Sequence, residues 1–144
     1  MTKPKRTPSA NSMRLLKALG YLPWDVEKVI PGTYKKRDLW NFVDIIAGHP
    51  VHGLLLVQAT SDSNISARVR KVEGIDEALE FPILRSLLAH DVKVQVWGWS
   101  LRGPLKNKKT WHLRRIAFKE LDGAIYTNQI GRAEEAEGLK ELTG

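Results

Sequence analysis

Two polar side chains lie where the pattern of the surrounding sequence indicates buried strand. Asp44 lies inside the apolar stretch "FVDIIA", and Gln58 follows the apolar stretch "LLLV" after the short turn "GHPVHG". Burial of an unpartnered carboxylate costs several kcal/mol, or it raises the pKa of the acid until the acid is neutral. The two positions therefore predict a polar site on a strand hairpin.

Strand register decides whether these two side chains can meet. Side chains alternate between the faces of a sheet, so Asp44 lies opposite Gln58 if Ala47 pairs with Leu55. A slip of one residue would send Asp44 to the other face. The turn accommodates both registers, so the sequence leaves both open.

In the first register, the oxygen atoms at this place suit a hard cation. Asp44 offers a carboxylate, Gln58 an amide oxygen and Ala59 a main-chain carbonyl, and Mg²⁺ is held by a few such ligands together with water. Glu27, in the preceding strand, is the best candidate for a second carboxylate. The alternative interpretation is structural: Asp44 pairs with a basic neighbour, Gln58 and Thr60 are ordinary strand residues, and Glu27 faces solvent.

The elements that must position these residues can be read along the chain. A helix capped by Ser9 or Asn11 is expected to end at Gly20, and "PWDVEKVIPG" alternates as a strand. A basic loop "TYKKRD" leads into the hairpin strands "LWNFVDIIA" and "GLLLVQAT". "SDSN" then starts the helix "ISARVRKV", and a second helical stretch, residues 75–90, breaks near Pro82. "VKVQVWGWS" and "TWHLRRIAF" are the last strands predicted.

This order of elements predicts an α/β fold, with a small mixed sheet flanked by helices. We expect a flexible basic arm over residues 1–8 and a single domain over residues 9–126. Residues 127–144 are expected to form a polar tail. Its acidic character is inferred from residues 119–144, which contain three basic and six acidic side chains.

The pattern resembles the PD-(D/E)XK nuclease superfamily over about residues 9–100. The resemblance is to small Holliday-junction-resolvase-like and phage-type nucleases, and it implies a restriction-endonuclease-like αβββαβ core with Mg²⁺ or Mn²⁺ as cofactor. Asp44 matches the metal-binding aspartate of the motif, Gln58 the following acidic position and Thr60 the lysine position. The catalytic residues implied are Asp44, Gln58, Thr60 and Glu27, and the metal ligands are Asp44, Gln58 and Glu27.

The chain departs from that motif at two of three positions. Gln58 is neutral where the motif has an acid, and Thr60 lacks the charge of the motif lysine. Arg68, Lys36 or Arg37 would supply a positive charge instead. Resolvase-like members carry a glutamate on the first helix, which this chain lacks, so the metal role returns to Glu27.

Charge indicates a polyanionic partner. The chain of 144 residues has a net charge of +7 and a pI near 9.8. Such an excess of positive charge favours binding to nucleic acid. A cationic helix after the motif strand favours contact with a phosphate backbone. The side chains expected to bind DNA are Lys36, Arg37, Arg68, Arg70, Lys71, Arg102, Lys106, Lys108 and Lys109.

The composition bears on cysteine-based sites, membrane spans and the location of the protein. With no cysteine, neither disulfides nor thiolate metal sites are possible. No apolar run is long enough to span a membrane, and no signal peptide is evident, so a cytoplasmic or virus-encoded protein acting in a host cytoplasm is expected.

The leading hypothesis is a metal-dependent DNA endonuclease, with branched DNA as a candidate substrate; the resemblance to resolvase-like proteins also implies a homodimer. Two alternatives stay open: a catalytically inactive nuclease-fold module that binds DNA, and an RNA-binding protein whose tryptophans stack on bases.

Overall fold

A six-stranded sheet lies between helices on both faces in the computed structural model, which describes residues 7–103 and 109–130. The helices are α1 (Pro8–Ala18), α2 (Ile65–Glu73), α3 (Ile75–Leu79) and α4 (Ile83–Ala89). The strands are β1 (Leu22–Asp25), β2 (Lys28–Val29), β3 (Lys36–Arg37), β4 (Ile45–His49), β5 (Gly53–Ser61), β6 (Lys93–Arg102), β7 (Thr110–Leu121) and β8 (Ala124–Ile130). A 3₁₀ turn, Asp62–Asn64, joins β5 to α2. The prediction of a mixed α/β fold is confirmed.

The sheet has the order β1-β4-β5-β6-β7-β8, and β2 pairs with β3 in a separate two-stranded ribbon. All neighbours in the sheet are antiparallel except β5 and β6, which are parallel. A parallel pair needs a long crossover, and the chain uses α2, α3 and α4 for it.

Each face of the sheet has its own apolar core. Leu15 and Leu16 of α1 pack with Val57, Trp97 and Trp99 on one face. On the other face the crossover helices bury residues such as Ile65, Val72 and Leu84 against Leu56 and Val96. Successive residues of β4 and β5 therefore serve opposite cores, as the alternation of strand side chains requires.

The hairpin adopts the register that brings Asp44 and Gln58 together. Ala47 pairs with Leu55 and Ile45 with Val57, so the next pair outward is Asp44 with Gln58. This confirms the first of the two registers.

Two predicted elements within the first 32 residues have different bounds in the structure. The first helix begins at Pro8, and its cap is Thr7, whose hydroxyl accepts from the Ala10 N–H at 3.1 Å. The strand predicted over "PWDVEKVIPG" is two strands, because the Asp25 carboxylate accepts from the Glu27 N–H at 2.9 Å and turns the chain after β1. Glu27 therefore lies between β1 and β2.

The segment around Trp40 is also not strand. Trp40 and Asn41 have φ angles of 51° and 63°, a left-handed turn that strand residues do not adopt, so β4 begins only at Ile45. Asp44 lies one residue before β4. The basic loop predicted before it contains β3.

The predicted acidic tail starts too early, because residues 127–130 belong to β8. Asp122 and Gly123 form the preceding turn with φ angles of 52° and 82°. Two positive φ angles in a two-residue turn are typical of Asp-Gly hairpins, so a signal for β8 was present in the sequence.

Several predictions lie outside the described residues: the arm up to residue 6, Lys106 and Lys108, and the tail from residue 131. Among the described helices, none has the length and apolar character required to cross a membrane.

Candidate metal centre and its basic rim

Asp44 and Gln58 contact each other directly. Gln58 Nε2 donates to Asp44 Oδ2 at 2.7 Å, and the Ala59 N–H donates to the same oxygen at 2.7 Å. The backbone of Asp44 is fixed on both sides, because its N–H donates to Val57 O and its carbonyl accepts from Val26 N–H. Asp44 is 4% exposed and Gln58 3% exposed. The strand ladder therefore holds a buried carboxylate in one position.

Two further carboxylates complete an acidic cluster with Asp44. Oxygen atoms of Glu27, Asp38 and Asp44 all lie within 4.8 Å of one another. Gln58 Nε2 also donates to Asp38 Oδ2 at 3.3 Å, and Ser9 Oγ of α1 donates to Glu27 Oε1 at 3.3 Å. The cluster thus joins α1, the turn after β1, the segment before β4 and strand β5.

The environment opposes ionisation of two of these acids. Burial raises the pKa of Asp44 to about 8, with further contributions from a hydrogen bond and charge repulsion involving Asp38, while the Ala59 N–H acts in the opposite direction. The pKa of Glu27 is also raised, first by burial and then by the charges of Asp25 and Asp38. In the absence of a cation, the surroundings of Asp44 therefore favour its neutral form.

Gln58 leaves one polar atom without a partner. Its Nε2 donates to two carboxylates, but its buried Oε1 has no hydrogen-bond partner among the described residues. A buried acceptor in this state costs roughly 1–3 kcal/mol, so it requires an explanation. A cation or its water shell at the acidic cluster would supply one.

The acids lie in a groove of about 610 Å³ whose rim is basic. Lys36 and Arg37 of β3 and Arg68 and Lys71 of α2 line it together with the three acids. Lys71 Nζ lies 3.9 Å from Asp38 Oδ2, and its side chain is 38% exposed. Four cations around three carboxylates form a surface that can receive a phosphate group above a metal ion.

The other predicted site residues lie elsewhere. Thr60 is buried in β5 beside Gly98 of β6, and it does not line the groove. Arg70 is exposed on α2, also outside the groove lining. Arg102 Nη2 lies 3.6 Å from Asp62 Oδ2 at the end of β6, and Lys109 is exposed just before β7.

Asp38 is the site residue that sequence reasoning missed. It follows the basic run "YKKR", which suggests a solvated loop. The left-handed turn at Trp40 and Asn41 and the bridge between Leu39 and Val43 fold Asp38 back toward Asp44. The only signal in the sequence was a second acid six residues before Asp44.

Comparisons of the chain with protein-family models, curated proteins and solved structures find no match. The interpretation of the site therefore rests on its own geometry.

The residues present fit a hard divalent cation. Three carboxylates and one amide oxygen are the donors that Mg²⁺ and Mn²⁺ prefer. Oxygen ligands of one Mg²⁺, each about 2.0–2.1 Å from the ion, lie at most about 4.2 Å apart. A span of up to 4.8 Å suits an ion held partly through its own water molecules, as Mg²⁺ usually is.

Proposed function

We propose that the protein is a metal-dependent DNA endonuclease of the PD-(D/E)XK type. The observation that carries the proposal is the cluster of Glu27, Asp38 and Asp44 within 4.8 Å in a groove with a basic rim. Isolated surface acids do not have raised pKa values, whereas functional carboxylates often do. A merely structural role would not require three acids to repel one another.

The order of elements supports a restriction-endonuclease-like core. Helix α1 is followed by β1, β4 and β5 as an antiparallel meander, and the helical crossover returns the chain to β6, parallel to β5. This is the αβββαβ order that the resemblance implies, with the ribbon β2–β3 inserted after β1.

Each groove residue has a separate role in the proposal. Asp44, Asp38 and Glu27 would hold Mg²⁺ or Mn²⁺. Gln58 Oε1 would join them as a neutral ligand once the amide turns over, because in the metal-free protein Gln58 Nε2 faces Asp44 and Asp38. The ion, when bound, polarises the phosphodiester and lowers the pKa of a bound water. Lys71, 3.9 Å from Asp38, replaces the motif lysine that Thr60 cannot provide.

The rim orients the substrate. Lys36, Arg37 and Arg68 would hold phosphates on either side of the scissile bond, because guanidinium and ammonium groups form charge-assisted hydrogen bonds to phosphate oxygens. Branched DNA and a homodimer remain part of this proposal through the family resemblance, and a cytoplasmic location is likewise a proposal.

A catalytically inactive module that binds DNA is the second candidate. It is favoured by the Gln58 amide, which already donates to both Asp44 and Asp38 and neutralises part of the repulsion without an ion. In that case Asp44 stays protonated and the groove binds phosphate without cutting.

The test is cleavage of supercoiled, linear, single-stranded and four-way-junction DNA with Mg²⁺ or Mn²⁺. We expect metal-dependent cutting that falls at least about 100-fold in Asp44→Asn and Asp38→Asn, since each removes a charged ligand. Lys71→Gln should lower the rate while leaving metal binding by calorimetry intact. Asp122→Asn, at the β7–β8 turn, removes one carboxylate outside the groove and should cut normally.

The outcomes separate the two candidates. Metal-dependent cutting that survives in Asp44→Asn and Asp38→Asn would place the active site elsewhere. Absence of cutting and of metal binding, with DNA binding retained, would establish the inactive module. In that event Gln58→Glu, which restores the acidic position of the motif, is expected to bring back Mn²⁺ binding.

A further inference from the structure

A basic ribbon projects from the acidic cluster. Strands β2 and β3 pair as Lys28 with Arg37 and Val29 with Lys36, apart from the main sheet. Glu27 immediately precedes the ribbon, and Asp38 immediately follows it. Two of the three groove acids therefore form its base, and any contact made by the ribbon is fixed relative to the site.

The tip of the ribbon is ordered by its own hydrogen bonds. The Thr33 N–H donates to Ile30 O at 3.1 Å across Pro31 and Gly32, and Gly32 has a φ of 77°, which is the geometry of a type II turn. Thr33 Oγ1 donates to Ile30 O and accepts from the Lys35 N–H. The turn is pre-organised, so little conformational entropy is lost when it binds a partner.

The ribbon carries only positive charge. Residues 28–37 contain four basic side chains and no acidic one. All four are exposed, and none has an acidic group of the described residues within ion-pairing distance. These side chains are Lys28, Lys35, Lys36 and Arg37.

The tip also presents an unusual aromatic side chain. Tyr34 is fully exposed, and Val29 on the neighbouring strand is 61% exposed. An exposed tyrosine beside Lys35 suits a partner that offers phosphates together with base edges and their thymine methyl groups.

From these observations we propose that the ribbon β2–β3 inserts into the major groove of a B-form DNA duplex whose backbone lies in the acidic groove. This rests on the proposed function and names its substrate as double-stranded DNA. The major groove is about 12 Å wide and admits a two-stranded ribbon. From Lys28 to Ile30, before the turn, the ribbon arm has three extended residues, about 10 Å at about 3.3 Å per residue, enough to reach the base edges about 8.5 Å deep.

The same dimensions exclude double-stranded RNA. The major groove of A-form RNA is deep and too narrow for side chains to read, so the ribbon has no place to enter. Tyr34 would contact base edges, where apolar side chains meet the thymine methyl group. Lys28 and Lys35 would contact phosphates on the two sides of the groove.

Binding is measured by fluorescence anisotropy with a 20-base-pair DNA duplex, the RNA duplex of the same sequence and the single DNA strand. EDTA is present, so that metal-dependent cleavage cannot occur and binding is measured independently of catalysis. The native chain is expected to bind the DNA duplex at least about 10-fold more tightly than the RNA duplex.

The variant Lys28→Gln with Lys35→Gln should bind the DNA duplex about 10-fold more weakly, and the slope of log affinity against log salt should decrease by about 1.8, or 0.9 for each contact. Tyr34→Ala should weaken binding with that slope unchanged. The matched control, Lys17→Gln with Lys119→Gln, removes two exposed charges from α1 and β7 and should bind as the native chain does.

Equal affinity for the two duplexes, or unchanged DNA binding in both ribbon variants, would overturn the inference. So would a control that weakens binding as much as the ribbon variant, because the effect would then be one of net charge. None of these results depends on cleavage, so a ribbon that fails leaves the nuclease proposal intact. A nuclease that fails to cut likewise leaves the ribbon test valid.

Discussion

Asp44 is stabilised in its neutral form, although its position would serve a metal only in the charged form. Its carboxyl group is buried and faces Asp38, and together these effects outweigh the Ala59 N–H, which favours the charged form. This conflict between the metal-free state and the proposed metal-bound state is typical of functional sites, where local stability is reduced for activity.

The raised pKa makes a prediction about stability. Because the folded pKa of Asp44, about 8, lies above its ordinary value of 3.8, the folded state binds more protons than the unfolded state between these pH values. The contribution of Asp44 to the free energy of unfolding is therefore fully present below about pH 4 and is lost as the pH rises through 8. Metal-free protein should lose stability over this range.

Asp44→Asn should remove most of that loss. An amide oxygen can accept the same two hydrogen bonds without a charge. We therefore expect the free energy of unfolding of the variant to exceed that of the native chain by about 1–2 kcal/mol at pH 8 and to be nearly equal to it at pH 5. Urea unfolding in EDTA at both pH values measures this. A variant that is less stable at pH 8 would contradict the raised pKa.

The start of α2 can approach the sheet closely because β6 carries a glycine there. A Cβ at Gly98 would lie 2.8 Å from Ile65 Cδ1 and 3.2 Å from Asp62 Cα. Helix α2 carries Arg68 and Lys71, so the contact at Gly98 helps to set the distance of these two rim residues from the acids.

Gly98→Ala should therefore destabilise the fold by about 1–3 kcal/mol, because the backbone of the 3₁₀ turn must shift. It should also weaken DNA binding by displacing α2. Gly48→Ala in β4 is the control: its Cβ would meet nothing within 4 Å, so we expect stability to stay within about 0.5 kcal/mol of the native value. Thermal unfolding and DNA titration of the two variants test this, and equal effects would contradict it.

The whole molecule combines a strongly basic charge with an acidic centre. Under the proposed function, a net charge of +7 would attract DNA, whereas the groove acids would oppose its phosphates unless a cation or protons offset their charge. Metal, proton and DNA binding should therefore be coupled.

This coupling predicts a pH-dependent effect of metal on global stability. Mn²⁺ at a fixed concentration, 100 times its dissociation constant at pH 8, should add about 2.7 kcal/mol to the free energy of unfolding at that pH. At pH 8 that should appear as a higher melting temperature, and at pH 5 the gain should nearly vanish because protons compete for Asp44. Asp122→Asn should respond as the native chain does, and Asp44→Asn should not. A gain of equal size at both pH values would argue against Asp44 as a ligand.

The amino-acid sequence alone determined the α/β class, the hairpin, the helix start after β5 and the two buried polar positions, Asp44 and Gln58. These features depend on local pattern: alternation of apolar residues, turn and cap residues, and polar atoms in apolar runs. Strand β8 was also encoded locally, in the Asp122-Gly123 turn, although the polar composition after it indicated a tail. Only the tertiary structure selected the hairpin register, because the turn permits both registers and burial of each strand face decides between them. The tertiary structure alone brought Asp38 and Glu27 to Asp44, because a left-handed turn and an Asx turn redirect the chain in ways that periodicity does not reveal. It also left Thr60 outside the groove.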